Sequence, residues 1–495
     1  MPHYQFYYDE TEHSRVINQN TVSADNFYDN FISVIVGWAD SADDAVSNKY
    51  HLFEQAFAHR KSNGELKSTT LKQNQFLYGF ASLNIDNIKL VDSFLDLFDG
   101  VLLYTSVISK IEFLVRQFFD NIQNSLFVDA DAVKYTITKA LLTYKPDSVI
   151  SSIYNSPQDA VTLLRSFFEQ RIELNKKHMP LKEQENEAFR QVILLLDDAK
   201  KIKNVNWNYT VSFVGFQQFL LEMNVSDYSL VIDNEQKTFE AAKNIGVHNV
   251  SEGNSKDYIG IRMADMLAGI IAKLMKALSA ALTPTPGDEI KKIILPVGWF
   301  KLKDQQLLLY KKLKKIFVDQ NNCWYKVYAG NYADDLVVFI ALLNYMDGFA
   351  NVSEMHLDLD NQGEQFNGYC CDCLNDHYKK MANKLPIDPV SNSETEQGYL
   401  NNRRGAKVYL NVDQQPPLPI EECGSKYTVL SIGININGMP LATIENGTNP
   451  VCYRLPNELA EWALTVVAFA NKGENFFPCE VVFTKHNNEY YADIL

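Results

Sequence analysis

The six residues YSLVID, Tyr228 to Asp233, form a short, continuous apolar run that stops at a carboxylate. A run without polar alternation is the pattern of a strand covered on both faces, in a sheet with parallel neighbours. It predicts an α/β fold. In open sheets of that class the ligand crevice lies at the carboxyl ends of the strands, where Asp233 stands. Outward from it, "KTFEAAKN" predicts a short helix, "SEGNSKD" a polar loop, and "IGIRMADMLAGIIAKLM" from Ile259 to Met275 a buried apolar helix. That last helix carries Asp265 in its most hydrophobic part. A buried carboxylate is costly unless it is paired or coordinated, so Asp265 is either a metal ligand or the partner of Arg262, three residues earlier.

Further out, "HYQFYYDE" and "NFISVIVGWAD" predict two early strands, the first ending at Asp9. The spacing of Ala45, Leu52, Phe53, Ala56 and Phe57 predicts a helix between Asp43 and Arg60. Helical patterns then dominate from about Thr70 to Ile202, with breaks near Asp99, Pro146, Pro157 and Pro180. The linker "TPTPG", Thr283 to Gly287, predicts a domain boundary. Beyond it come a basic helical segment, a helix around "NYADDLVVFIALLNYM", and a terminal region with an Asn437-Gly438 hairpin signal, the helix "NELAEWALTVVAFAN" and two final strands.

A chain of 495 residues that is 46% hydrophobic has material for two to four domains of ordinary globular composition. The formal net charge of −15 disfavours unspecific attraction to nucleic acid or anionic membrane, so phosphate binding would need a local basic patch. No apolar run reaches the ~18–20 residues of a membrane span, and "MPHYQFYYDE" lacks the regions of a signal peptide; a cytoplasmic protein with no membrane partner is expected. The seven cysteines, all at or beyond Cys323, suit reduced thiols. "CCDCLNDH" from Cys370 lacks zinc-site spacing, and "DLDNQG" from Asp358 has Tyr369 where a calcium loop needs glutamate. No phosphate-binding glycine loop and no serine-hydrolase elbow is present.

Five short motifs occur in one order: "YYDET", "GELKS" at Gly64 to Ser68, "LVIDNE" at Leu230 to Glu235, "NSKD" at Asn254 to Asp257, and "IRMADMLAG" at Ile261 to Gly269. In that order the chain, from Met1 to about Ala281, resembles the bacterial family catalogued as domain of unknown function 3800, whose members look like ribonuclease H-type proteins. The resemblance implies an RNase H-like mixed sheet core from residues 1–85 and 205–282 and a large helical insertion at 86–204; for the remainder, the linker and the element pattern beyond it predict a separate C-terminal domain at 288–495, a basic helical segment followed by α+β structure. It implies an acidic set of Asp9, Glu65, Asp233 and Asp265 with Glu10 as a neighbour able to substitute, and Lys67, Ser255 and Lys256 lining the site. Two positions depart from the family pattern: Thr11 replaces a usual serine and Arg262 a usual glutamine. A cation at Arg262 would compete with a metal.

What the resemblance implies chemically is a two-metal centre of Mg²⁺ or Mn²⁺ that hydrolyses phosphodiesters, one ion activating water and one stabilising the leaving oxygen. Hard oxygen ligands suit those ions. Lys67 would stabilise charge on the scissile phosphate, and the substrate would be DNA or RNA in a nuclease of bacterial anti-phage defence. The lysine-rich segment Lys291 to Lys315, with Lys311, Lys312 and Lys315 among its cations, offers a track for a phosphate backbone, against the plainer reading of a solvated helix face. The alternative from another class is a non-catalytic protein-interaction module in which the same acids are ion-paired and the C-terminal domain binds a protein partner. Four carboxylates meeting near one point would favour the enzyme; Asp265 paired with Arg262 or Lys256 would favour the module.

Overall fold

β-branched and aromatic runs from distant parts of the chain become neighbours in one mixed six-stranded sheet of a computed structural model, which describes residues 2–11, 27–120, 129–196, 210–282, 294–320, 326–382, 400–401, 415–434, 439–447, 450–471, 476–486 and 489–495. The strands are β1 (Tyr4–Thr11), β2 (Asn30–Ala39), β4 (Leu102–Ser109), β5 (Tyr228–Asp233), β6 (Val250–Gly253) and β7 (Val327–Ala329), with the short β3 (Leu77–Phe80) outside the sheet. Their order is β6-β5-β1-β2-β4-β7. β2 runs antiparallel to β1 and β4, whereas β1-β5, β5-β6 and β4-β7 are parallel. Every strand but β2 therefore ends at the same edge of the sheet. The run YSLVID is flanked on both sides by parallel strands, as its unbroken apolar pattern requires.

Alternation along β1 sends Phe6, Tyr8 and Glu10 to one face and Tyr7 and Asp9 to the other. Phe6 and Tyr8 pack with Phe213 and Phe216 of the Val211–Glu222 helix, while Tyr7 packs with Trp38 and the Ile259–Leu282 helix. Gly260 sets the approach of that helix: a Cβ there would lie 2.1 Å from the Tyr7 ring, so only glycine lets the helix start directly against β1.

The sheet crosses both expected divisions of the chain. β4 lies within the segment expected to be a helical insertion, and β7 lies beyond the linker. Of that segment, the helices Lys110–Phe118, Ala130–Tyr144, Pro157–Asn175 and Glu183–Leu195 share a core of their own, including Leu114, Ile137, Phe168 and Phe189. Ser109 and Asp129 accept the Glu112 and Ala132 amides and so cap the first two. Past the linker, Leu295, Trp299, Phe300, Tyr310, Phe339 and Phe366 join the same core as Tyr7, Trp38 and Ile261.

The terminal region forms a second, antiparallel sheet: β8 (Leu400–Asn401), β9 (Ser425–Ile434), β10 (Pro440–Ile444), β11 (Val451–Arg454), β12 (Cys479–His486) and β13 (Glu489–Ile494). Its main path runs β11-β10-β9-β12-β13, with β8 on β9. The helix Ala460–Asn471 covers it through Ala463, Val466 and Val467 against Val429, Ile432 and Phe483. The expected hairpin residues Asn437 and Gly438 lie outside the described residues, but Ile434 and Pro440 on either side pair antiparallel. No helix among the described residues is long and apolar enough to cross a membrane.

Candidate functional site

Two of the expected acids stand at matching register on adjacent parallel strands: Asp233 is the last residue of β5, whereas β1 runs on past Asp9, where it was expected to end, as far as Thr11. Tyr8 of β1 stands opposite Ile232 of β5, so the next residue of each strand is a carboxylate, Asp9 and Asp233. β6 continues the edge: Gly253 pairs with Asp233, and the loop Asn254–Asp257 follows. The Glu10 amide donates to Asp9 Oδ1 at 2.7 Å, and the Asn234 amide to Asp233 Oδ1 at 3.0 Å. Burial, first, and then the charges of Asp265, Asp233 and Glu10 hold the Asp9 carboxyl well above the usual carboxylate range; the Glu10 amide bond opposes them. Asp9, Asp233 and Asp265 thus lie within one electrostatic neighbourhood.

Asp265 faces neither Arg262 nor Lys256. Its carboxylate is gripped by Ser68, whose backbone N–H donates to Oδ2 at 2.8 Å and whose hydroxyl donates to Oδ1 at 2.6 Å. One turn along the helix, a Cβ on Gly269 would come within 2.3 Å of Ser68 Cβ, so glycine is what lets this segment lie on the helix. Gly269 thus serves the Ser68 segment, whereas Gly260 serves the approach to the sheet.

Glu65 is placed by a tight turn. Ser62 and Glu65 exchange both backbone hydrogen bonds, at 2.8 and 3.1 Å, around Asn63 and Gly64, whose φ values of 53° and 90° are those the Asn-Gly pair favours. The Glu65 side chain is buried, accepts the Ser255 hydroxyl on Oε2 at 3.1 Å and lies 3.4 Å from Lys67 Nζ. Its other oxygen, Oε1, is buried with no hydrogen-bond partner. A buried, unpaired carboxylate oxygen is expensive and suits a site that takes up a donor or a cation.

Other expectations need correction. Glu10 does not neighbour Asp9 as a substitute ligand, since the pleat turns it to the opposite face, where Tyr8 and Thr238 donate to Oε2 at 2.5 and 3.1 Å. Arg262, expected either to pair with Asp265 or to compete for a metal, is buried and turned to Glu54, with Nε 3.2 Å from Oε1. Part of the lysine track is taken up by partners, while Lys301 and Lys303 are exposed. Lys311 donates to the Phe349 carbonyl at 2.5 Å, and Lys312 pairs with Asp92 and Asp96 at 2.6 and 2.7 Å. Lys314 pairs with Asp319 and Asp347. Lys315 is exposed, and Lys291 and Lys292 lie outside the described residues. Lys256 is exposed beside the site, its amide closing a turn on Asn254 Oδ1 at 2.9 Å.

Ser68, Glu54, Tyr50 and Lys61 were not among the expected site residues. Ser68 closes the GELKS motif, and the Asn63-Gly64 pair marks the turn beside it, but no local signal points to Glu54 or Tyr50. Among the described residues no three acidic, histidine or cysteine side chains stand in a group that could hold a metal ion as they are placed. Comparison with models of known families, with curated proteins and with solved structures finds no match to this chain.

Proposed function

We propose that the chain is a divalent-metal-dependent phosphodiesterase acting on nucleic acid, built on an RNase H-like core. The observation that carries the reading is the matching register of Asp9 and Asp233 near the carboxyl ends of adjacent parallel strands, with Asp265 close enough to raise the Asp9 carboxyl. The strand order β4-β2-β1-β5-β6, antiparallel up to β1 and parallel after it, is in keeping with that core.

The donor chemistry fits Mg²⁺ or Mn²⁺, which take hard carboxylate oxygens. Asp9, Asp233 and Asp265 would hold the ion with Glu65 Oε1, the oxygen left unpaired. Bonds from Ser68 leave Asp265 further lone pairs, because a carboxylate accepts about four hydrogen bonds or ligands. When bound, the ion would supply an activated water and charge stabilisation at the phosphate. Asp9 would contribute as its carboxylate, and Lys67 and Lys256, both exposed at the rim, would orient the anion. As they are placed the acids do not form a ligand group, so holding an ion would require their side chains to rearrange.

One observation favours the second reading, a non-catalytic protein-interaction module: Asp265 and Glu65 already have serine and lysine partners. Incubation with single- and double-stranded DNA and with RNA, in Mg²⁺ and in Mn²⁺, separates the two. The enzyme reading requires cleavage by wild type and its loss in Asp233→Asn. Cleavage absent from both proteins, or equal in both, removes it.

A further inference from the structure

The contacts around Glu65 close into a ring that the four acids alone do not explain. Arg262 sits at its centre, buried, with Nε toward Glu54 and toward the Tyr50 hydroxyl at 3.3 Å. Its Nη1 donates to the carbonyl of Ser255, and to that of Lys256 at 3.0 Å. The planar guanidinium thereby ties the loop after β6 to the Asp43–Ala56 helix, a span that a point charge such as lysine would not reproduce. The other oxygen of Glu54, Oε2, pairs with Lys61 at 2.9 Å, and Lys61 directly precedes the Ser62–Glu65 turn. Glu54 therefore holds both sides of Glu65: through Arg262 the loop that carries Ser255, and through Lys61 the turn that carries Glu65 itself. The ring closes where the Ser255 hydroxyl meets Glu65 Oε2, leaving Oε1 as the free oxygen.

We propose that Glu54 and Arg262 are positioning residues, which fix the Ser255 loop against the Glu65 turn and so present Glu65 Oε1 to a divalent cation. This rests on the metal-dependent reading above. Arginine at 262, where the resembled family usually has glutamine, is then a support of the site and no competitor of the ion. Residues that orient a ligand through a hydrogen bond commonly change metal affinity by about 10–100-fold when removed.

The test is Mn²⁺ binding by the full chain, measured by titration calorimetry, for wild type, Arg262→Gln, Ser255→Ala, Glu65→Gln and the double variant Glu65→Gln/Arg262→Gln, with folding checked by circular dichroism. The expected result is a weakening of about 10–100-fold in both Arg262→Gln and Ser255→Ala, and no further loss when Arg262→Gln is added to Glu65→Gln. General loosening of the fold would not disappear in the Glu65→Gln background. Wild-type affinity in Arg262→Gln, or losses that add, overturn the positioning role while leaving the metal site in place. Should Arg262→Gln not fold, Ser255→Ala decides alone, and unchanged binding overturns the role. No Mn²⁺ binding by wild type removes the metal reading itself, and this proposal with it.

Discussion

Ser68 donates twice to Asp265, once from its backbone and once from its hydroxyl, so that a carboxylate within a buried apolar helix is satisfied by a residue 197 positions away. Removing the hydroxyl leaves Oδ1 of a partly buried carboxylate without its donor while the backbone bond survives. Hydrogen bonds to charged groups contribute about 1.5–3 kcal/mol, and partial exposure puts Ser68→Ala toward the low end, a loss of roughly 1.5 kcal/mol. Urea denaturation should show a lower midpoint at unchanged slope. A midpoint equal to wild type would mean that the hydroxyl bond contributes nothing.

Gly269→Ala tests the same contact from the helix side. In an open helix the change would stabilise by up to about 1 kcal/mol. Here the new methyl would lie 2.3 Å from Ser68 Cβ, so the segment carrying Ser68 must move away, and net destabilisation of about 1–3 kcal/mol is expected. Stabilisation by this substitution would show that the segment shifts freely and does not hold Asp265 in place.

The parts of this architecture legible in the sequence are those decided by local pattern. The unbroken apolar run at Tyr228 reads as a doubly covered strand, and the stripe of the Ile259–Leu282 helix reads as buried, because burial on both faces leaves no room for alternation. β4 was hidden because "LLYTSVIS" lies between helical patterns and its period is ambiguous, and β7 because three residues carry no period at all. Partner choice was less legible still. Arg262 stands three residues from Asp265 yet faces Glu54 on another helix, and the lysines of the Asp304–Lys314 helix meet acids from Asp92 to Asp347. Those pairings are set by long-range packing, which a helical wheel does not contain. Asp9 and Asp233 could be brought together in advance only on the assumption of adjacent parallel strands, a condition the register of β1 and β5 meets.

The linker at Thr283–Gly287 suggests a cut, and the packing predicts that the cut fails. Trp299, Phe300, Leu309 and Tyr310 are each fully buried in the core that also holds Trp38, Phe80 and Ile261. A fragment of residues 1–282 would expose the surface these side chains cover, and would lose β7 from the edge of the sheet. It should be insoluble or lack a cooperative thermal transition, as judged by calorimetry. A fragment that melts cooperatively near the temperature of the full chain would show that the core ends at the linker after all.

Beside the start of β2, burial pushes Asp335 up to about 6, with the charge of Asp334 adding to it and the Asn30 side chain, donating at 2.5 Å, opposing it. Asp29 nearby is likewise pushed up to about 6, by burial first and by Asp335 in part. The unfolded chain releases these protons near pH 4, the folded one near pH 6. Between those values the folded state binds more protons than the unfolded, so stability falls as pH rises through that window, and the cost is complete above about pH 6. Asp335→Asn removes the titration and keeps an acceptor for Asn30. It should therefore stabilise the protein at pH 7.5, by on the order of 2–3 kcal/mol, and by only about 1 kcal/mol at pH 4.5. Chemical denaturation of wild type and variant at the two pH values measures the difference. An increment of equal size at both would mean that Asp335 is ionised throughout and that its burial carries no proton.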